Sequence, residues 1–218
     1  MTMPLASSPA PVTVQPDGLK GLLAIPEAPR GLVIFAHGSG SGRLSPRNNH
    51  VASGLRGAGL ATLLIDLLMP EEERDRTSIF DIPRLASRLA GAAAWARLIP
   101  QLARLPLGYF GASTGAGAAL LAASAEDSDV QAIVSRGGRP DLAGARALAR
   151  VRAPTLLIVG GRDNMVINLS RIAIRHMRTE TELTIVPGAN HLFEEPGTLD
   201  AVIAHAIRWF LRHLQETP

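Results

Sequence analysis

The sequence of 218 residues contains no cysteine, which excludes disulfide bonds and thiolate metal sites and is typical of a cytoplasmic protein. Its apolar stretches, of which TLLIDLLM is an example, are much shorter than a membrane-spanning helix, so we expect no membrane association. Aromatic residues make up only 4% of the chain, and the net charge is only +3. The arginines are scattered among acidic residues with few aromatics between them, which argues against nucleic-acid binding.

Hydrophobic residues make up 46% of the sequence and charged residues 19%, a balance typical of a compact protein rather than a disordered one. The length suits a single domain that covers residues 1–218. Residues 1–11 contain three prolines and lack both a basic start and a continuous apolar core. We therefore expect these residues to form a loose N-terminal leader rather than a secretion signal.

Short apolar runs alternate with alanine-rich segments at helical spacing along most of the chain. This alternation predicts an α/β fold in which a mostly parallel central sheet has helices on both faces. A hairpin predicted over residues 12–25 adds antiparallel strands at one edge. A long helix is predicted over residues 83–104, and a short one over residues 141–150, which leaves no room for a large cap domain at that point of the chain.

The stretch YFGASTGAG places Ser113 between small residues, directly after an apolar run. A phosphate-binding loop would need a lysine and then a serine or threonine after its last glycine, whereas alanines and leucines follow Gly117 here. A strand before Ser113 and a helix after it favour a different function. A serine on a sharp strand-to-helix turn needs small residues two positions before and two after it, and Gly111 and Gly115 occupy those positions.

A nucleophilic serine needs a base that removes its proton and an acid that orients the base. Asp163 lies in GGRDNMV and His191 lies in PGANHLF, each just beyond a predicted strand. Their order along the chain, serine and then aspartate and then histidine, is typical of serine hydrolases built on a parallel sheet. We therefore predict a triad of Ser113, Asp163 and His191, with Asp141 as the alternative acid.

The carbonyl oxygen of a substrate gains charge during attack and needs two backbone N–H donors. We predict that the Thr114 amide, directly after the nucleophile, supplies one donor. The segment HGSGSGR supplies the other, and we assign it to the Ser39 amide. His37 in the same segment is predicted to be structural. A dinucleotide-binding loop remains an alternative for this segment, with Asp66 as ribose ligand, although the third glycine of that motif should fall at residue 43.

The segments HGSG, GASTG, GGRD and GANH, in this order, resemble the α/β-hydrolase superfamily, especially its compact dienelactone-hydrolase-like branch. The resemblance covers roughly residues 20–214. Dienelactone hydrolases proper use a cysteine nucleophile, whereas this chain has Ser113 and no cysteine. The resemblance therefore implies a serine carboxylesterase that needs neither a metal nor an organic cofactor.

The predicted function is hydrolysis of small or accessible carboxylic esters through an acyl-enzyme intermediate. The same residues could transfer the acyl group to an alcohol or a peroxide, and a non-catalytic ligand-binding or regulatory protein is a further alternative. The expected partner is a small-molecule ester, and no oligomeric state is favoured. Arg136 follows a strand and could meet a carboxylate-bearing substrate or form a surface salt bridge. Residues 71–78 either border the mouth of the site or form a solvated loop.

Overall fold

The computed structural model describes residues 8–215. It contains one eight-stranded sheet with the strand order β1-β2-β4-β3-β5-β6-β7-β8. The strands are β1 (Ala10–Val14), β2 (Leu19–Ala24), β3 (Leu32–Ala36), β4 (Ala61–Ile65), β5 (Leu107–Ala112), β6 (Val130–Arg136), β7 (Thr155–Gly160) and β8 (Thr181–Val186). The helices are α1 (Pro46–Gly57), α2 (Arg76–Ile79), α3 (Ile82–Arg97), α4 (Thr114–Ala123), α5 (Ala145–Leu148), α6 (Asn164–Ile174) and α7 (Thr198–His213).

The sheet is antiparallel only at one edge, where β1 pairs with β2 and β2 pairs with β4. All other neighbouring strands are parallel. Every residue of β3, β4, β5 and β7 is buried, which explains why these strands read as continuous apolar runs in the sequence. The mostly parallel α/β sheet predicted from the sequence is therefore confirmed.

Helices cover both faces of the sheet and divide the core into two main clusters. One cluster joins the sheet to α1 and α7 through side chains such as Leu55 and Phe210. The other joins the opposite face to α3 and α4 through side chains such as Leu89 and Leu120. This arrangement leaves the carboxyl ends of the parallel strands open, so the loops that follow β3, β5, β6, β7 and β8 meet at one edge.

Some boundaries differ from the sequence prediction for identifiable reasons. Strand β1 begins at Ala10, inside the predicted leader, because Ala10 and Pro11 pair with Leu23 and Leu22. Residues 1–7 of that leader lie outside the described residues. Helix α3 ends at Arg97 rather than at residue 104, since Pro100 disfavours helical backbone in the residue before it.

The connection between β6 and β7 is compact, as the sequence predicts. It contains a 3₁₀ turn at Pro140–Ala143 and the single turn of α5, and it forms no separate cap domain. Among residues 8–215, no helix combines the length and the apolar character that crossing a membrane requires.

Candidate active site

Ser113 lies between β5 and α4 with a strained backbone, φ 50° and ψ −122°. Glycines permit this turn. A Cβ on Gly111 would lie 2.5 Å from the Ala116 Cα, and a Cβ on Gly115 would lie 2.1 Å from the Ala36 carbonyl oxygen. Both distances are too short for any other residue, so the two glycines flanking Ser113 are required for close packing of helix against strand.

The hydroxyl of Ser113 does not cap α4, the helix that follows it. A serine at a helix N-cap normally accepts a hydrogen bond from an amide of the first turn, as Ser45 does from Asn48 N at the start of α1. Ser113 occupies the N-cap of α4, but its side chain makes no capping hydrogen bond. Its oxygen is therefore available to a group outside the helix.

Asp163 and His191 lie after β7 and β8 and contact each other directly. The His191 Nδ1 is 2.6 Å from the Asp163 Oδ2, while the Asp163 Oδ1 accepts a hydrogen bond from Val166 N at 3.2 Å. With both carboxylate oxygens engaged, the imidazole is held in one orientation and Nε2 faces away from the pair. The alternative acid, Asp141, instead forms an ion pair with Arg139.

The backbone around His191 is fixed by close contacts that the sequence analysis did not single out. Gly137 has φ +50°, and a Cβ there would lie 2.9 Å from the His191 carbonyl oxygen. A Cβ on Gly160 would lie 2.4 Å from the Asn190 carbonyl oxygen, and Asn190 N donates to the Glu195 carboxylate. Gly137, which follows β6, and Gly160, which ends β7, could have been recognised as sites of close backbone approach.

Backbone strain among the described residues is concentrated in this site. Ser113 and Phe193 are the two non-glycine residues between 8 and 215 with positive φ, at 50° and 57°. Each such residue costs about 1–3 kcal/mol and persists only where the surrounding packing imposes it. Phe193 is 2% exposed and lies two residues after His191, so its packing helps to fix the histidine loop.

Ser113 and His191 line the same cavity of about 190 Å³, together with Ser39, Arg136 and Leu192. Within the described chain, no hydrogen bond joins the Ser113 hydroxyl to the imidazole. The Asp163 and His191 side chains are thus brought into contact, whereas Ser113 shares a cavity with His191 but forms no hydrogen bond to it. Catalytic hydrogen bonds of this kind are often long in the absence of substrate and tighten when it binds.

The two predicted oxyanion donors belong to segments that adjoin Ser113. Thr114 begins α4 and is 3% exposed, and the amide of a first helical residue has no partner within its helix. Ser39 follows Gly38, where a Cβ would lie 2.7 Å from the Ser113 Cβ and 3.5 Å from its Oγ. Because the backbone at Gly38 contacts the serine side chain, the next amide is close to the reacting position.

His37 and Asp66 directly follow β3 and β4, and their side chains form hydrogen bonds that stabilise the local structure. Leu67 N donates to the His37 Nε2 at 2.8 Å, so the ring proton is on Nδ1, which donates to the Gly38 carbonyl at 2.9 Å. Burial lowers the pKa of His37 below its ordinary value of 6.5. Asp66 accepts a hydrogen bond from Arg43 N and pairs with the Arg43 guanidinium, which leaves it unavailable for a ribose.

Residues 71–78 form a 3₁₀ turn and the start of α2, and most of them are exposed to solvent, as a solvated segment would be. The Glu72 carboxylate pairs with Arg88 at 2.5 Å, and this contact lowers the pKa of Glu72 to about 2. Glu73 lines a second cavity of about 640 Å³ that lies beside the loop of Gly40–Arg47. Since Gly40, Ser41 and Arg47 line both cavities, the segment borders a groove that continues from the Ser113 site.

The chain is similar to known proteins over nearly its whole length. Residues 29–215 match a family model described as an alpha/beta hydrolase domain. The crystal structure of a dienelactone hydrolase from Anabaena variabilis is 54% identical in sequence. The match covers 98% of this chain and 100% of that chain, with a TM-score of 0.90.

Two Mycobacterium tuberculosis proteins, from strains CDC 1551 and H37Rv, are 57% identical over 211 residues and are provisionally named phosphoribosyl transferases. These matches cover 97% of this chain but 47% of each relative, so the chain spans about half the length of the curated relatives it matches. Est1E from Butyrivibrio proteoclasticus shares the fold at 15% identity, with a TM-score of 0.78 and coverage of 94% of this chain and 98% of that chain.

Proposed function

The chain belongs to the α/β-hydrolase family, and from this premise we propose that it is a serine carboxylesterase with Ser113, His191 and Asp163 as its catalytic triad. The observation that carries the proposal is the placement of Ser113. Its strained backbone and uncommitted hydroxyl lie in the same cavity as a histidine that is already bonded to a carboxylate. Strain at a residue with no structural role for its side chain is typical of a catalytic nucleophile.

The reaction begins when the Ser113 Oγ attacks the ester carbonyl carbon while the His191 Nε2 removes the hydroxyl proton. Asp163 accepts the hydrogen bond from Nδ1–H, which keeps Nε2 unprotonated and stabilises the imidazolium that forms. The amides of Ser39 and Thr114 donate to the oxyanion, and the dipole of α4 favours the same negative charge. His191 then gives its proton to the departing alcohol, and an acyl group remains on Ser113.

Water completes the cycle by the same steps. His191 removes a proton from a water molecule, which attacks the acyl carbon, and then returns that proton to the Ser113 Oγ as the bond between this oxygen and the acid breaks. Acyl transfer to an alcohol or to a peroxide would differ only in the molecule that replaces water at this step. Hydrolysis is favoured here because the His191 side chain is 41% exposed, so that water can reach the base.

The substrate is proposed to be small. The cavity that contains Ser113 itself is about 190 Å³, below the range of about 300–1,000 Å³ typical of sites for drug-sized ligands, so the part of the ester beside the serine is small even though a groove of about 640 Å³ continues from it. The short connection between β6 and β7 adds no cap that could bury a long acyl chain. Esters with short acyl groups are therefore expected to react faster than long-chain esters.

The provisional name of the mycobacterial relatives describes proteins about twice as long as this chain. This chain matches about half of each relative, and residues 29–215 of the chain are accounted for by the hydrolase domain. Phosphoribosyl transfer is therefore not assigned to the site around Ser113. A non-catalytic binding protein is also disfavoured, because such a role does not require the strained backbone at Ser113.

The test is a panel of acetyl, butyryl and octanoyl esters assayed with the wild type and with Ser113→Ala. The wild type is expected to hydrolyse the short esters best, and the substitution to reduce kcat/KM by at least about 10³-fold. Ser124→Ala is the matched control, because Ser124 lies just past the other end of α4 and its hydroxyl bonds to the Leu121 carbonyl. Retained activity in Ser113→Ala would rule out the proposal.

A further inference from the structure

Arg136 is the last residue of β6 and lies beside the nucleophile. In the parallel register it pairs with Ala112, the residue directly before Ser113, and with Ile158 on the other side. Because side chains alternate along a strand, Arg136 lies on the same face of the sheet as Val134, which packs under α1 and α7. Its side chain lines the cavity that contains Ser113 and His191.

The guanidinium of Arg136 is buried and has no partner. The residue is 8% exposed, and its Nη1 is fully buried without a hydrogen-bond acceptor. Across residues 8–215, no carboxylate forms an ion pair with it. Burial and the nearby charge of Arg47 lower the pKa of Arg136 to about 10, so the group still carries its charge at neutral pH. A protein rarely retains a buried, unpaired charge unless a ligand supplies the missing partner.

A second cation extends the positive region across the mouth of the cavity. Arg47 lies in the first turn of α1 and lines the same cavity. Its Nε is buried without an acceptor, and its only ion pair among the described residues is a 3.5 Å contact with the half-exposed Glu194. The two arginines therefore face the cavity with more positive charge than the surrounding carboxylates neutralise.

We infer that Arg136, assisted by Arg47, forms an anion subsite that binds a carboxylate or phosphate group of the substrate beside the ester under attack. This inference rests on the proposed esterase function and names its substrate class: small esters with a compact anionic group a few bonds from the reacting carbonyl. A guanidinium donates two parallel hydrogen bonds to such a group. The register with Ala112 places that contact next to Ser113.

The inference is tested with pairs of esters that differ only in charge. Monoethyl succinate is compared with ethyl levulinate, in which a methyl group replaces one carboxylate oxygen. For phosphate, 2-acetoxyethyl phosphate is compared with its dimethyl ester. The wild type is expected to prefer at least one anionic ester over its neutral partner by about 10- to 100-fold in kcat/KM, the range of a charge-assisted hydrogen bond. The pair with the larger preference identifies the anion.

Arg136→Met removes the charge while keeping most of the side-chain volume, and it is expected to lower kcat/KM for the preferred anionic ester about 10- to 100-fold more than for its neutral partner. Arg47→Met should also reduce the preference for the anionic ester. Because Arg47 is half-exposed, this variant gives a result even if Arg136→Met does not fold. The control is Arg212→Met. This arginine pairs with Glu180, which directly precedes β8 and therefore lies at the other end of the strands from the cavity. Equal rates for both members of each pair, or a preference that survives in both variants, would overturn the inference.

A binding experiment separates this inference from the proposed reaction. Calorimetric titration with succinate and with inorganic phosphate is carried out on the wild type and on Arg136→Met. At least one anion should bind the wild type, with an affinity reduced about 10-fold or more in the variant. If no ester is hydrolysed but this difference is found, the esterase proposal fails and the subsite stands. If esters are hydrolysed but neither anion binds the wild type more tightly than Arg136→Met, the subsite inference is wrong.

Discussion

Polar side chains at the ends of β3 and β4 differ from those at the ends of β5, β6 and β8, although all lie at the same edge of the sheet. At the first pair of strands, His37 and Asp66 use their hydrogen-bonding atoms on neighbouring backbone and on Arg43. At the second group, Ser113, Arg136 and His191 keep donors or acceptors unused around one cavity. The first region holds the edge together, whereas the second leaves hydrogen-bonding groups unused at the cavity, as the proposed binding and reaction require.

The difference shows why residue type alone does not identify a catalytic histidine. His37 precedes a glycine-rich turn and follows a buried strand, as a catalytic residue would, but both ring nitrogens are satisfied by backbone groups. His191 has one nitrogen bonded to Asp163 and the other available to the cavity. What distinguishes them is how much hydrogen-bonding capacity remains after folding, which depends on contacts between distant segments.

The largest effect on the second region is expected from Asp163→Asn. The asparagine oxygen can still cap α6 through Val166 N, so the fold should persist. Its amide, however, would donate to the His191 Nδ1 and place the ring proton on Nε2, where it cannot accept the serine proton. We expect kcat for a short ester to fall on the order of 10²- to 10⁴-fold.

Asp141→Asn is the matched control for this measurement, because Asp141 follows the neighbouring strand and pairs with Arg139 instead. Its kcat should stay within about twofold of the wild type, since surface ion pairs contribute little. A larger loss in Asp141→Asn than in Asp163→Asn would contradict the assignment of the acid.

An intermediate effect is expected in the first region, on acid stability. Burial holds the pKa of His37 below 6.5, and its bond to Gly38 and the nearby carboxylates of Asp66 and Glu73 offset only part of this shift. As the pH falls below 6.5, the unfolded chain takes up a proton at His37 that the folded chain does not. The free energy of unfolding should therefore decrease with falling pH, by up to about 1.4 kcal/mol per pH unit from this group.

His37→Gln removes this titration while an amide can still donate and accept. Urea unfolding between pH 6.5 and pH 5 should show a shallower loss of stability in the variant than in the wild type. The same slope in both proteins would mean that His37 is not held neutral by burial.

The smallest effect is expected on the stability of Arg136→Met, which compares Arg136 with the structural residue His37. Because its charge is buried without a partner, Arg136→Met is expected to raise the free energy of unfolding by about 1 kcal/mol in the absence of ligand. Urea unfolding of the variant, beside Arg212→Met, measures this change. A loss of more than about 1 kcal/mol would show that Arg136 has a structural function like that of His37.

Much of the fold could be predicted from the sequence, because buried parallel strands and amphipathic helices leave periodic patterns. The end of α3 was placed too late because the alanine-rich pattern continues past the point where Pro100 disfavours helix. The sequence left two interpretations open for residues 71–78, because the contact between Glu72 and Arg88 joins positions 16 residues apart.

The candidate site was predictable to the extent that chain order determines it. Ser113, Asp163 and His191 each follow a strand of a parallel sheet, which brings them to one edge. The burial of Arg136 was not predictable in this way. An arginine at a strand end usually reaches solvent, whereas this one is 8% exposed and shares its cavity with Arg47 of α1 and with His191, which are distant from it in the sequence.

The most direct test of the account is covalent labelling with a fluorophosphonate, followed by mass spectrometry of the digested protein. The reagent phosphonylates a serine only when a neighbouring base activates it. The account predicts a single adduct on the peptide that contains Ser113, formed much more slowly in His191→Ala and absent in Ser113→Ala. An unlabelled Ser113 in the folded wild type, or labelling that proceeds equally fast without His191, would contradict it.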